Sequence, residues 1–239
     1  MSRSTTNMSD KRLVYLFGIA GHAEVSPALR ALEAHGWEIV VPTVPGFDGA
    51  SGFVAPDEYL DWITTFWDAL DATGALPCPV VGASLGGMIA AELAALRPET
   101  VTKLALLAPF GICDGDSPGF DLFAVPTAER MAHLFAKGVP EAFANRFADK
   151  GGEEAPVARY LSDIASASIL WPFGDRGTAK RLHRLTQPRL TMWGELDELI
   201  PVSTSARWGS DVRVVAGAGH LLEWDAPDEV ANALRSFLA

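Results

Sequence analysis

Cysteine is scarce in this chain, with only Cys78 and Cys113 among 239 residues. The two show neither the paired spacing of a zinc site nor a redox C-x-x-C, which argues against a disulfide framework or a thiolate metal centre. They are expected near opposite ends of a sheet as reduced structural thiols. Positive charge is also short: 19 Lys and Arg stand against 30 Asp and Glu, a formal net charge of −11. Nucleic acid and anionic membrane surfaces both call for a basic face, so neither is an expected partner. No apolar run approaches the roughly 20 residues that span a bilayer. The polar opening MSRSTTNMSDKR has no apolar signal segment, and a cytoplasmic location is the expectation. Internal repeats and low-complexity stretches are missing too.

What the chain does have is apolar residues, 49% of the total, enough for one large domain with a sizeable core. Short apolar runs alternate with amphipathic segments, the order of a parallel sheet with crossover helices. Strands are predicted at 13–17, 37–41, 79–83, 103–108, 189–193 and 212–216. Several are apolar nearly throughout, as expected when helices cover both faces. Helix ends are legible. Ser26-Pro27 opens one helix and Gly36 follows it. Tyr59, Ile63, Phe66 and Leu70 recur at helical spacing before Gly74. A third helix follows Ser84 and stops at Arg97-Pro98. The last begins near Asp225-Ala226-Pro227 and is expected to bury Val230, Leu234 and Phe237. The alternation breaks over 112–187, a helical stretch too long for a plain crossover. It is expected to be an insertion lying over the carboxyl edge of the sheet, with 1–111 and 188–239 forming the core.

Gly82-Ala83-Ser84-Leu85-Gly86 fits G-x-S-x-G, a pattern expected by chance about 0.1 times in a chain of this composition. Its setting adds weight, because it follows the apolar Pro79, Val80 and Val81 and opens a helix. A sharp strand-to-helix turn pushes a serine hydroxyl out of the sheet edge, with glycine favoured two residues to either side. A serine needs a base. Of His22, His35, His133, His183 and His220, the last sits in Gly217-Ala218-Gly219-His220, between the last strand and the last helix, at the same edge as Ser84. The acid is expected between serine and histidine in chain order. Glu195, Asp197 and Glu198 all lie in the turn after 189–193. Asp197 leads because its short side chain is better fixed beneath the imidazole, and Glu223 offers an outer partner. Backbone N–H groups of Leu85 and Ile19, with Ala20 next, are the candidate oxyanion donors. Phe17, Ala20, His22, Phe110, His133 and Leu221 are the candidate lining of a substrate pocket.

Four landmarks in this order, the loop after 13–17, Gly82 to Gly86, Gly194 to Pro201 and Gly217 to His220, resemble the α/β-hydrolase superfamily over most of the chain. The run Val81-Gly82-Ala83-Ser84-Leu85-Gly86-Gly87 followed by Ala90-Ala91-Glu92-Leu93 is similar to small bacterial esterases and to the carbon–carbon bond hydrolases of aromatic degradation. The resemblance implies an α/β-hydrolase fold, a helical cap over 112–187, and a serine hydrolase using Ser84, His220 and Asp197 without metal or organic cofactor. Two departures stand out. Phe17-Gly18 replaces the His-Gly usual in the first loop. Only about a dozen residues precede 13–17, so a mostly parallel sheet of about six strands, without the N-terminal hairpin, is expected.

Cleavage of a small, largely apolar carboxylic ester leads, by a monomer or homodimer. Hydrolysis of a carbon–carbon bond in a meta-cleavage product is the alternative, with Arg146 or Arg159 holding its carboxylate. A non-catalytic ligand receptor on the same fold is a third reading. A dinucleotide loop at Gly18-x-x-Gly21 fails for want of a third glycine and of an acid after the next strand.

Overall fold

The computed structural model describes residues 11–19, 25–47, 53–115, 119–209 and 211–239. Six strands form one sheet: β1 (Arg12–Leu16), β2 (Glu38–Val40), β3 (Cys78–Ala83), β4 (Val101–Leu107), β5 (Arg189–Gly194) and β6 (Val212–Val215). Their order is β2-β1-β3-β4-β5-β6 and every neighbouring pair is parallel. Val14, Tyr15 and Leu16 of β1 and Leu104 to Leu107 of β4 are buried on both sides of the strand. This is why these runs are apolar throughout instead of alternating. β2 is shorter than expected, three residues at the sheet's edge and none fully buried.

The chain runs outward from β1 to β2, then crosses back over β1 to β3. The direction of winding therefore reverses between β1 and β3. In open α/β sheets, the crevice at the carboxyl ends of two such strands is where ligands are bound. Here that crevice receives the loop after β1 and the turn that ends β3.

Helices α1 (Pro27–Glu33), α2 (Tyr59–Ala72) and α3 (Leu85–Leu96) follow β1, β2 and β3. From Leu85 to Ala95 every residue of α3 is buried, as expected of a helix apolar on all sides. Its single charge, Glu92, is satisfied in place: Thr178 Oγ1 donates at 2.8 Å, and Arg181 Nε and Nη2 donate at 2.6 and 2.7 Å. That bidentate pair anchors the 3₁₀ turn Thr178–Arg184 to the central helix.

Between β4 and β5 the chain forms α4 (Thr127–Arg130), α5 (Glu141–Ala144), the 17-residue α6 (Glu154–Leu170) and several 3₁₀ turns. Phe135, Phe143 and Phe147 are buried, and Phe143 meets Phe135 and Trp224 edge-on at 4.9 and 5.3 Å. After β6 come α7 (Leu222–Asp225) and α8 (Pro227–Leu238). On α8, Val230, Leu234 and Leu238 are the buried row. Leu238 replaces the expected Phe237 because positions four apart share a face. Cys78 opens β3 and Cys113 follows β4, both as free thiols. Among the described residues, no helix is long and apolar enough to cross a membrane.

Two glycines set the approach of α3 to the sheet. A Cβ at Gly86 would lie 2.2 Å from the Leu16 carbonyl oxygen, and one at Gly82 would lie 2.4 Å from that of Gly86. Both obstacles are backbone and cannot swing aside. Gly86→Ala is therefore expected to destabilise the fold by roughly 1–3 kcal/mol or more. Gly115→Ala, where nothing lies within 4 Å, should stay within about 0.5 kcal/mol of the parent. Urea unfolding of the two variants checks this.

Candidate active site

Ser84 stands between β3 and α3 with φ 55° and ψ −119°. Residues with a Cβ avoid this region, and they stay in it only when their surroundings over-determine them. Here the Ser84 amide donates to Leu107 O at 2.8 Å, prolonging the β3–β4 ladder by one step. Its carbonyl accepts from Gly87, Met88 and Phe110 at 3.0, 3.2 and 3.1 Å. Gly86 N donates to Phe17 O at 3.1 Å, so the loop after β1 is tied to the same turn.

His220 follows β6 by way of Gly217, Ala218 and Gly219. Its Nε2 lies 2.7 Å from Ser84 Oγ and its Nδ1 lies 2.9 Å from Asp197 Oδ2. All three side chains are buried. An ionised carboxylate only accepts, so the imidazole proton sits on Nδ1, and the Nε2 lone pair faces the serine hydroxyl. The other Asp197 oxygen accepts from Leu199 N and Ile200 N, both at 2.9 Å. An aspartate bonding the amides two and three residues on is the usual Asx turn. Trp193 Nε1 donates to Ile200 O at 2.8 Å and braces the loop from below. Neither neighbouring carboxylate takes that place: Glu195 accepts from Gly217 N at 3.0 Å, and Glu198 binds His133 Nδ1 at 2.7 Å.

The Ile19 amide donates to Ser84 Oγ at 3.3 Å. Leu85 is the first residue of α3, and the first amides of a helix have no acceptor within it. A Cβ at Gly18 would come to 3.0 Å from both Ser84 Cβ and Leu221 Cδ2, so any larger residue would crowd the serine and make its neighbours give way.

The expected pocket residues divide. Phe110 lies with its ring 5.2 Å from the imidazole and 5.4 Å from Phe173, a residue the sequence did not single out. Phe110, Phe173, Leu170, Leu199 and Ile200 border a small cavity of about 20 Å³. Leu221 is buried beside Gly18. Phe17 is buried against Phe47, with centroids 5.4 Å apart. His133 is engaged by Glu198 on one nitrogen and by Phe120 at 4.0 Å on its face. Ala20 and His22 lie outside the described residues. Among those residues, no group of three His, Cys, Asp or Glu is placed to hold a metal ion. The thiols make poor nucleophiles: burial lifts Cys78 to about 11 and also raises Cys113, with help from Asp175 and Asp114.

Two acids follow His220. Glu223, 1% exposed, accepts from Tyr15 OH at 3.2 Å. Burial pushes its carboxyl from 4.5 up to about 7, with Asp225 adding to the rise. A backbone N–H, His220 and Tyr15 hold the rise back. Burial, and then the Glu223 charge, raise the Tyr15 phenol well above its ordinary value. Asp225 instead binds backbone: its Oδ2 accepts from Gly219 N and Ala136 N, both at 2.8 Å. The sequence pointed to Glu223 as the outer partner; Asp225, two residues on, is the one that touches the His220 loop.

A profile of the "Alpha/beta hydrolase family" matches residues 17–233. Over 220 residues the chain is 27% identical to the dihydrolipoyllysine-residue acetyltransferase component of the acetoin cleaving system of Cupriavidus necator; the match covers 86% of this chain and 57% of that protein. It is 23% identical over 243 residues to a 2-hydroxy-6-oxononadienedioate/2-hydroxy-6-oxononatrienedioate hydrolase of Dechloromonas aromatica, covering 92% of this chain and 83% of the other. The solved structure of a 2-hydroxy-6-oxo-6-phenylhexa-2,4-dienoate hydrolase from Rhodococcus sp. strain RHA1 superposes with a TM-score of 0.72 at 20% identity, over 97% of this chain and 91% of that one.

The raised Glu223 acidity has a consequence for stability. The folded protein holds this proton more tightly than the unfolded chain, so the group's contribution is fully present below about pH 4.5. It is lost as pH rises through about 7. Glu223→Gln should remove that decline, on the order of 3 kcal/mol across the window. Thermal unfolding of both proteins between those pH values measures the difference.

Proposed function

Since the chain belongs to the alpha/beta hydrolase family, we propose that it is a serine hydrolase cleaving small, largely apolar carboxylic esters through an acyl-enzyme. The observation that carries this reading is the 2.7 Å approach of His220 Nε2 to Ser84 Oγ, with Asp197 on the opposite ring nitrogen. In it, Ser84 Oγ attacks the ester carbonyl while Nε2 takes the hydroxyl proton. Asp197 holds the imidazole in the required tautomer and stabilises the imidazolium without accepting the proton. Negative charge gathers on the former carbonyl oxygen, for which this reading assigns the amides of Ile19 and Leu85 and the positive end of α3 as stabilisers. Collapse expels the alcohol, which leaves with the proton from Nε2. Water, deprotonated by the same nitrogen, then attacks the acyl carbon, and Nε2 returns that proton to Ser84 Oγ as the acid departs. No metal or organic cofactor enters this scheme.

The apolar class of substrate is supported by what borders the imidazole. Phe110 packs its ring on the imidazole and Phe173 packs on Phe110, while Leu221 is buried beside Gly18.

The relatives' activities favour a second reading, carbon–carbon hydrolysis of a dienol carboxylate with the same three side chains. Its substrate carries a carboxylate, and the arginines considered for that anion are otherwise engaged. Arg146, 3% exposed, lies 3.8 Å from Asp163 and over the Phe143 ring at 5.0 Å. Arg159 donates to Ala144 O at 3.3 Å. The ester reading asks for no cation and is preferred.

Purified protein is expected to hydrolyse short p-nitrophenyl esters and to be labelled on Ser84 by a fluorophosphonate. Ser84→Ala and His220→Ala should each lower kcat by on the order of 10³-fold or more, and the double variant should be little worse than either. An ester rate equal in Ser84→Ala and parent would overturn the proposal. In a side-by-side assay, faster bleaching of a yellow dienol carboxylate than turnover of any ester would transfer it to the second reading.

A further inference from the structure

The loop that carries His220 is built from small residues, Gly217-Ala218-Gly219, with Gly217 at φ 65°. Such a sequence has little intrinsic stiffness. The imidazole is nevertheless held within hydrogen-bond reach on both sides, so the stiffness is imposed from outside.

Part of it comes from the turn after β5. Leu196 N donates to Ala218 O at 2.9 Å, Glu195 N donates to Val215 O at 3.0 Å, and Gly217 N donates to the Glu195 carboxylate at 3.0 Å. A Cβ at Gly194 would lie 2.0 Å from Gly219 O, so these two backbones touch. This register locks the His220 loop to the Asp197 loop.

The remaining restraint comes from the opposite direction. A Cβ at Gly219 would fall 2.7 Å from Ala136 N, so the segment after the 3₁₀ turn Met131–Leu134 lies directly on Gly219. One oxygen of the buried Asp225 side chain takes both the Gly219 and the Ala136 amide at 2.8 Å. Lys137 Nζ donates to the Asp225 carbonyl at 2.9 Å, and Leu221 N donates to Leu134 O at 3.0 Å. Gly219 is thus sandwiched between Gly194 and Ala136, and Asp225 closes the sandwich.

We propose that Asp225 is a positioning residue for His220: its carboxylate clamps the amide preceding the base to the segment 134–137 of the insertion, fixing Nε2 opposite Ser84. The inference rests on the reading of His220 as the base. A charged acceptor suits two converging amides better than a neutral one. The hydrogen bonds of the Asp225 carboxylate go to backbone amides and not to the Ser84, Asp197 or His220 side chains. Its loss is therefore expected in the chemical step and not in binding.

The test compares Asp225→Ala and Asp225→Asn with the parent, all in the full chain and well below each protein's melting temperature. Steady-state kinetics on p-nitrophenyl butyrate are normalised to sites titrated with fluorophosphonate. Loss of the clamp should lower kcat by roughly 100-fold with KM within about twofold, the scale of an angstrom-sized misplacement. Asp225→Asn keeps an oxygen able to accept both amides and should fall between alanine and parent. A purely structural role predicts a lower melting temperature with an unchanged kcat per titrated site. A kcat for Asp225→Ala within about threefold of the parent, or a loss appearing only in KM, overturns the proposal. If the alanine variant does not fold, Asp225→Asn decides: reduced kcat at unchanged KM supports the clamp, and parental kcat refutes it. Failure of the underlying serine-hydrolase reading shows separately, as parent protein that fluorophosphonate does not label.

Discussion

Everything at the candidate site depends on a backbone held where backbones do not rest. Ser84 has φ 55°, a left-handed conformation that costs on the order of 1–3 kcal/mol for a residue with a side chain. The sheet and α3 supply the restraint. The serine amide continues the β3–β4 ladder, and its carbonyl receives three donors from α3 and the loop after β4. Gly82 and Gly86 let the strand and helix close to a distance at which no Cβ fits. The same constraint that strains the turn lifts the hydroxyl out of the sheet edge and into the crevice where winding reverses.

The other two side chains reach that crevice for a topological reason. β3, β5 and β6 are parallel, so their carboxyl ends lie along one edge, and each ends in a turn bearing one of the three groups. The turns are fixed differently. Ser84 is held by backbone geometry, and Asp197 by an Asx turn braced by Trp193. His220 is held by its neighbours, because Gly217-Ala218-Gly219 has no stiffness of its own. The candidate base is thereby the group most dependent on the rest of the molecule, and the segment between β4 and β5 is part of what holds it.

That insertion has two kinds of attachment. At its far end, Arg181 and Thr178 grip the buried Glu92 in the centre of α3, and the bidentate arginine contact fixes the segment to the core. Nearer its start, His133, Leu134, Ala136 and Lys137 reach the Asp197 and His220 loops. The first attachment joins it to scaffold, and the second joins it to loops that carry the candidate chemistry. A segment so attached is tied both to the scaffold and to the loops carrying the candidate groups.

The sequence alone was enough for the sheet, because strands buried on both faces must be apolar throughout and helices must repeat every 3.6 residues. All six strands lie within two residues of their expected places, and the order of landmarks along the chain led to the family. Ser84, Asp197 and His220 were legible as candidates, since a strand-to-helix turn flanked by glycines and two later post-strand turns are local patterns. Contacts that rest on the path of individual side chains and loops were not legible. That Asp225 and not Glu223 binds the His220 loop depends on which way a short helix turns its side chains. That His133 is taken up by Glu198, and that Phe173 meets Phe110, depends on how the insertion folds back over the sheet. No periodicity encodes these pairings. They are decided by packing between segments up to 65 residues apart, and only the folded chain brings those segments together.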